Sequence, residues 1–276
     1  MSLMFIFISI KMTSFDEKIF NAVSDIANVT NNPFKGKWVS ILGDSISTFA
    51  NYIPEENTTF YPAGDVMYAD ETWWHILLTK LGAKLCVNNS WGGRKVCGSA
   101  DADVKNAVNK LHRVAGQEYI NLDGTKETAT EDVYPDIILI MLGVNDFMGN
   151  VTLGTHEIKG NTSTNNEFYN DYRYLLYSIV GVNYQQAQVY CLDTTYIDKL
   201  GFLGKNTSGA AQVDYQKAIE DVTSLYCVYC IHVSKLSIHA GNQGTYEIDR
   251  IHPKANMMQM IANQCYHEML ANNCLG

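Results

Sequence analysis

Short apolar runs and amphipathic stretches alternate along most of the chain. Five runs have the length and composition of buried strands, at residues 37–42, 84–88, 136–142, 187–192 and 228–233. Between and after them, apolar residues recur at helical spacing over 71–81, 102–115, 167–180, 209–225 and 254–272. Strand and helix in repeated succession predict an α/β domain, a parallel sheet sandwiched by helices. An earlier stretch stands apart. Ser14-Phe15-Asp16-Glu17 has the form of a capping box, and Phe15, Ile19, Val23 and Ile26 follow at helical spacing. The pattern predicts a helix in an N-terminal extension, residues 1–35, ahead of a main domain at 36–276.

Two long segments interrupt the alternation. Asn51 to Asp70 carries Tyr52, Phe60, Tyr61 and Tyr68, and Phe147 to Asn166 is rich in Gly, Asn and Thr. Loops of this length inside a domain are commonly lids or binding walls. The aromatic residues suit a sugar ring, an acyl pocket or a cover for the core equally well. Trp73 and Trp74 lie on a helical face and are expected in the core.

Chemistry concentrates where apolar runs end. Lys37 to Leu42 stops at Gly43-Asp44-Ser45, which puts a serine just past a strand's carboxyl end, where open α/β sheets keep their ligand crevices. A serine there acts as a nucleophile if a base and an oxyanion pocket are supplied. Asp249 and His252, three apart and just before the last helix, suit a base and the carboxylate that orients it. On residues alone they read equally as a helix cap and a surface histidine. A second run ends in Gly143-Val144-Asn145-Asp146 and a third in Asn89-Ser90-Trp91-Gly92-Gly93. An Asn amide and a Gly backbone N–H are suitable donors to an oxyanion, although both residue types are also common in turns.

In order, these four blocks resemble the motifs of the SGNH, or GDSL, hydrolase family. They are Gly43-Asp44-Ser45, Asn89 to Gly93, Gly143 to Asp146, and Asp249-Arg250-Ile251-His252. The resemblance implies Ser45 as nucleophile, His252 as base and Asp249 as the group orienting it. It implies an oxyanion hole of the Ser45 N–H, a glycine N–H of the second block and the Asn145 amide. Block spacing favours Gly93 over Gly92. It also implies a three-layer α/β/α sandwich around a five-stranded parallel sheet in flavodoxin-like order. Ile46 replaces the family's usual Leu, an apolar exchange without chemical consequence. The nucleophile elbow of the α/β-hydrolases does not fit, because Ser47 occupies the position of its second glycine.

Composition narrows the field. With 276 residues, 46% of them hydrophobic, the chain has enough apolar surface for one large core. A net charge of −9 without any Lys/Arg block disfavours nucleic acid and anionic membrane surfaces as partners. No apolar run approaches the roughly 20 residues of a membrane span. The seven cysteines lack scaffold spacing and are expected to be mostly buried thiols, with Cys227-Val228-Tyr229-Cys230 structural. No histidine pair has metal-ligand spacing, so neither a catalytic metal nor a cofactor is expected. Arg94 and Arg250, beside the motif blocks, suit contact with an anionic substrate, but the expectation is an exposed ion pair for each. The first residues lack the basic start and cleavage site of a secretory signal. Compartment and oligomeric state stay open.

The expected activity is metal-independent hydrolysis of a short-chain, chiefly acetyl, ester on a small or glycan alcohol. Long-chain lysophospholipase or thioesterase activity is the alternative. An acyltransferase differs only in acceptor, and a non-catalytic carbohydrate-binding module would keep only the fold.

Overall fold

The structure is a computed structural model that describes residues 32–97, 104–157, 167–198, 200 and 204–273. The expected N-terminal helix lies outside these residues. In chain order the strands are β1 (Trp38–Gly43), β2 (Lys84–Asn88), β3 (Glu118–Ile120), β4 (Lys126–Thr128), β5 (Ile137–Met141), β6 (Gln188–Leu192) and β7 (Tyr229–Ile231). The helices are α1 (Trp73–Leu81), α2 (Val104–Val108), α3 (Val144–Met148), α4 (Phe168–Leu176), α5 (Gln212–Leu225), α6 (Gln243–Tyr246) and α7 (Ala255–Ala271).

Five strands form one sheet, ordered β2-β1-β5-β6-β7 and parallel throughout. Counting only these strands, the order is the flavodoxin-like one expected from the motif resemblance. All five residues of the middle strand, Ile-Ile-Leu-Ile-Met, are buried. A parallel sheet covered on both faces needs such continuous apolar runs, and helices supply the cover. Helix α1 packs on α7 and α4 on α5, completing the three-layer sandwich. Trp73 and Trp74 are fully buried in this core. Ser40 of β1 is a paired polar exception, buried and donating Oγ–H to the Leu111 carbonyl at 2.7 Å.

The expected boundaries hold closely for β2, α1 and α7, less so elsewhere. β7 is shorter than its apolar run. The helix expected over 102–115 ends at Val108. There the chain turns to deliver Arg113 to the free edge of β2, where its guanidinium donates to the carbonyls of Leu85 (2.8 Å) and Cys86 (2.9 Å). The helix expected over 167–180 is α-helical only to Leu176 and continues as a π-helix over Tyr177–Asn183. The β3–β4 hairpin matches no expected element. It is antiparallel and turns through Gly124, whose φ of +82° is unfavourable for side-chain-bearing residues.

Candidate active site

β1 ends at Gly43 because nothing larger fits. A Cβ at this position would stand 2.5 Å from Ser47 Oγ and 3.0 Å from Ser90 Oγ. The chain then makes a single 3-10 turn, Ser45–Ser47, capped by Asp44, whose Oδ1 accepts the Ile46 N–H at 3.0 Å. Thr48 closes the turn by donating Oγ1–H to the Ser45 carbonyl at 2.9 Å. Ser45 is thereby held just past the carboxyl end of the strand.

The second half of the site is a tight turn between α6 and α7. Glu247 and Pro253 bridge its base, and the Ile248 N–H donates to the His252 carbonyl at 2.8 Å. Arg250 occupies the left-handed region, with φ +71°. Asp249 Oδ1 accepts the N–H groups of Ile251 (3.2 Å) and His252 (3.0 Å), so the carboxylate organises its own loop. The same carboxylate meets His252 Nδ1, with Oδ2 at 2.8 Å. On the far side of the ring, Ser45 Oγ lies 2.8 Å from His252 Nε2. With Nδ1–H donated to the carboxylate, Nε2 is left as the acceptor for the Ser45 hydroxyl. A hydroxyl, an imidazole and a carboxylate that start 207 positions apart therefore form one hydrogen-bonded chain.

His252 is only 8% exposed, and two neighbouring aromatic residues account for much of its cover. Phe60 lies flat on the imidazole, ring centroids 3.4 Å apart and planes within 8°. Tyr61 meets it edge-on and donates its hydroxyl to the Pro253 carbonyl at 2.7 Å. Phe60 is in turn fixed by its own N–H, which donates to Thr48 Oγ1 at 2.9 Å. The long segment after the serine thus grips both the serine turn and the histidine turn. Of its other aromatics, Tyr52 packs by Trp74, and Tyr68 is exposed.

Burial works against ionisation of Asp249, but hydrogen bonds from the His252 N–H and ring outweigh it and hold its pKa below the usual carboxylate value. Asp44 behaves oppositely. Burial dominates there and pushes it up to about 7, against the Ile46 hydrogen bond and with the Asp146 charge adding to the rise. Asp146, also fully buried, is pushed up to about 6 by burial, although its carboxylate accepts the N–H groups of Val96 and Cys97 at 2.9 Å each.

Asn145 is the second residue of α3, which begins shortly after β5 ends. Its Nδ2 donates to Asp44 Oδ2 at 3.2 Å and to the Arg94 carbonyl at 3.1 Å. In the second motif block the two glycines differ. Gly92 N–H is spent on the Thr58 carbonyl at 2.7 Å, and a Cβ there would crowd the same oxygen at 3.1 Å. Gly93 sits at φ +80° in the turn closed by the Arg94 N–H on the Trp91 carbonyl.

One expectation is overturned here. Arg94 is not an exposed ion-pairing residue. It is 2% exposed, donates to the Asn89 carbonyl and lies against the Trp91 ring. Burying that guanidinium serves to shape the 89–94 turn, a job that spacing along the sequence does not reveal. Arg250 is exposed, and its carbonyl accepts the Asp198 N–H at 3.3 Å. The described cysteines are free thiols, buried except for Cys227. Asp44, Asp146, Thr48 and Asn57 are contributors that motif reading passes over. Asn57 donates to Asn89 Oδ1 and the Ser90 carbonyl at 3.0 and 2.9 Å. The first two stand inside the motif blocks, adjacent to residues assigned chemistry, and their buried positions carry the signal.

Among the described residues, no helix is long and apolar enough to cross a membrane. No protein of curated function matches the chain significantly. Solved structures do. A GDSL-like lipase-family protein from Bacteroides ovatus is 25% identical, with 86% of this chain covering 100% of that one at a TM-score of 0.61. A counterpart from Bacteroides uniformis is also 25% identical, with 86% of this chain covering 97% of that one at 0.60. An acetylxylan esterase from Geobacillus stearothermophilus shares the fold at 15% identity and a TM-score of 0.52, with 85% of this chain covering 94% of that one. The profile described as GDSL-like Lipase/Acylhydrolase matches residues 37–269, and the chain belongs to that family of hydrolases.

Proposed function

We propose that the protein is a metal-independent serine esterase acting on short-chain acyl esters, chiefly O-acetyl groups of carbohydrate-like alcohols. The observation that carries this reading is the unbroken hydrogen-bonded chain from Ser45 Oγ through His252 to Asp249. Ser45 Oγ attacks the ester carbonyl while Nε2 of His252 takes its proton, and Asp249 stabilises the imidazolium. The carbonyl oxygen becomes an oxyanion held by the backbone N–H groups of Ser45 and Gly93 and by Asn145. The engagement of Gly92 N–H by Thr58 supports Gly93 in that role. His252 returns its proton to the departing alcohol. Water, activated by the same imidazole, then releases the acyl group from Ser45.

The short-acyl preference rests on composition. Asn and Thr recur in the two long segments, Tyr52, Tyr61 and Tyr68 stand in the first, and polar residues surround the serine turn, among them Asp44, Ser90 and Asn145. A second reading has its own observation. A largely apolar cavity of about 230 Å³ lies beyond the end of β6, bounded by Phe147, Tyr196, Ile197 and Leu200, and would suit a longer acyl chain. A panel of p-nitrophenyl esters separates the two, run beside acetylated oligosaccharides. Acetate cleaved faster than octanoate supports the proposal, and the reverse order transfers it to lipid or thioester substrates. Labelling by a fluorophosphonate, abolished in Ser45→Ala, tests the chemistry itself. An unlabelled wild-type protein would point to a binding module.

A further inference from the structure

Behind the histidine turn lies a second polar cluster that the hydrolytic chemistry does not use. It joins the segment after β6 to α6 and to the base of the turn. Glu247 is 3% exposed, yet neither of its carboxylate oxygens has a hydrogen-bond partner. The same is true of Asp198 Oδ1, Gln243 Oε1 and the Tyr196 hydroxyl, all buried atoms. These residues are neighbours. Gln243 donates Nε2–H to Asp198 Oδ2 at 2.9 Å, and the Glu247 N–H donates to the Gln243 carbonyl at 2.8 Å. Asp198 and Glu247 are close enough for their charges to act on each other and on Tyr196, and Asp249 adds a third negative charge to Glu247's surroundings. Among the described residues no Lys, Arg or His forms an ion pair with Asp198 or Glu247.

Buried carboxylates are tolerated when paired, protonated or bound to a cation. Four of the orphaned atoms are acceptors only. One proton serves at most two of them and a water donates only two hydrogens, whereas a cation is bound by several oxygens at once. Two carboxylates and an amide carbonyl are hard ligands that suit an oxygen-seeking divalent ion and offer nothing to a soft one. We propose that Asp198, Gln243 and Glu247 bind a structural divalent cation of the calcium type, with water completing its shell. Its place in the fold is specific. Glu247 pairs with Pro253 across the base of the turn, and the Asp198 N–H holds the Arg250 carbonyl inside it. The ion therefore braces the loop that presents Asp249 and His252 from behind. It touches neither Ser45 nor substrate, and the inference stands whatever the reactivity of that serine.

The test uses the full chain, stripped with a chelator and desalted. Calorimetric titration with calcium chloride is expected to show one site per chain, and calcium is expected to raise the melting temperature by about 5 °C or more, as ligands selective for the folded state do. Magnesium, which prefers a stricter geometry, should do less. Glu247→Gln keeps the shape and removes one charge. It is expected to lose the calcium response and, in chelator, to melt above the stripped wild type. Asp198→Asn should behave alike and covers the case in which the first variant fails to fold. Absence of calcium binding in the wild type, or an undiminished calcium response in both variants, would overturn the proposal. So would a melting temperature indifferent to calcium but rising steadily as the pH is lowered, which would place a shared proton between the two carboxyls.

Discussion

At Asn145 a single amide nitrogen serves two acceptors, the Asp44 carboxylate and the Arg94 carbonyl. Both hydrogens are engaged in the resting site, so in the proposed mechanism an oxyanion would have to share or displace one of these bonds. Above about pH 7, where Asp44 is ionised, the neutral carbonyl is the weaker competitor, because bonds to charged acceptors are about twice as strong. Loss of one oxyanion donor costs roughly 3–4 kcal/mol of transition-state stabilisation. Asn145→Ala is therefore expected to lower kcat on p-nitrophenyl acetate by about a hundredfold or more, with the far-ultraviolet circular dichroism unchanged. Turnover close to that of the wild type would remove Asn145 from the mechanism. Asn145→Asp offers a control of equal size that removes the donor and adds repulsion to Asp44, and it should be no more active than the alanine variant.

Arg113 shows what an element needs beyond its own sequence. β2 is an edge strand, and its outward carbonyls would otherwise be open to pairing with another chain. The guanidinium caps two of them, donates also to Asn121 Oδ1 at 3.0 Å and stacks over Trp38 with its carbon 4.8 Å from the ring centre. Charged hydrogen bonds in a buried setting are worth about 1.5–3 kcal/mol each. Arg113→Met, which retains the stem but not the donors, is expected to lower unfolding stability by about 3–5 kcal/mol in urea, and a change below about 1 kcal/mol would contradict that role. The same residue explains where sequence reading stops. β5 and α7 were legible because burial alone shapes them, through a continuous apolar run and a helical stripe. Helix α2 was overdrawn because the pattern after Val108 still looks helical, while the contact that ends the helix, Arg113 on β2, is distant in sequence. The hairpin of β3 and β4 is three residues a side and largely exposed, too short to show alternation. At the candidate site, Ser45, Asn145, Asp249 and His252 stand in recognisable blocks. Phe60 does not, since a lone aromatic in a loop gives no hint that it will lie on an imidazole.

Across the whole molecule, the carboxyl end of the sheet gathers buried charge: Asp44 at 1% exposure, Asp146 at 0% and Arg94 at 2%. Such an arrangement opposes folding, and pH reveals by how much. Asp44 rises from an ordinary 3.8 to about 7 in the folded chain. Between these values the folded state holds a proton that the unfolded state has released. Stability is then complete below about pH 4, declines as pH rises towards 7, and levels off above it. A shift of this size corresponds to roughly 4 kcal/mol. Asp146 adds a decline of the same sign that ends near 6. In Asp44→Asn the first contribution disappears. The amide also loses one good acceptor bond, since its nitrogen must face either Ile46 N–H or Asn145, so the absolute stability of the variant is a poor guide and the slope is the quantity to read. Urea unfolding at intervals from pH 4 to 8 is expected to show the wild type losing several kcal/mol relative to Asp44→Asn, most of it before pH 7. Parallel profiles would mean that Asp44 stays ionised throughout, with Arg94 and the Ile46 N–H compensating for its burial in full.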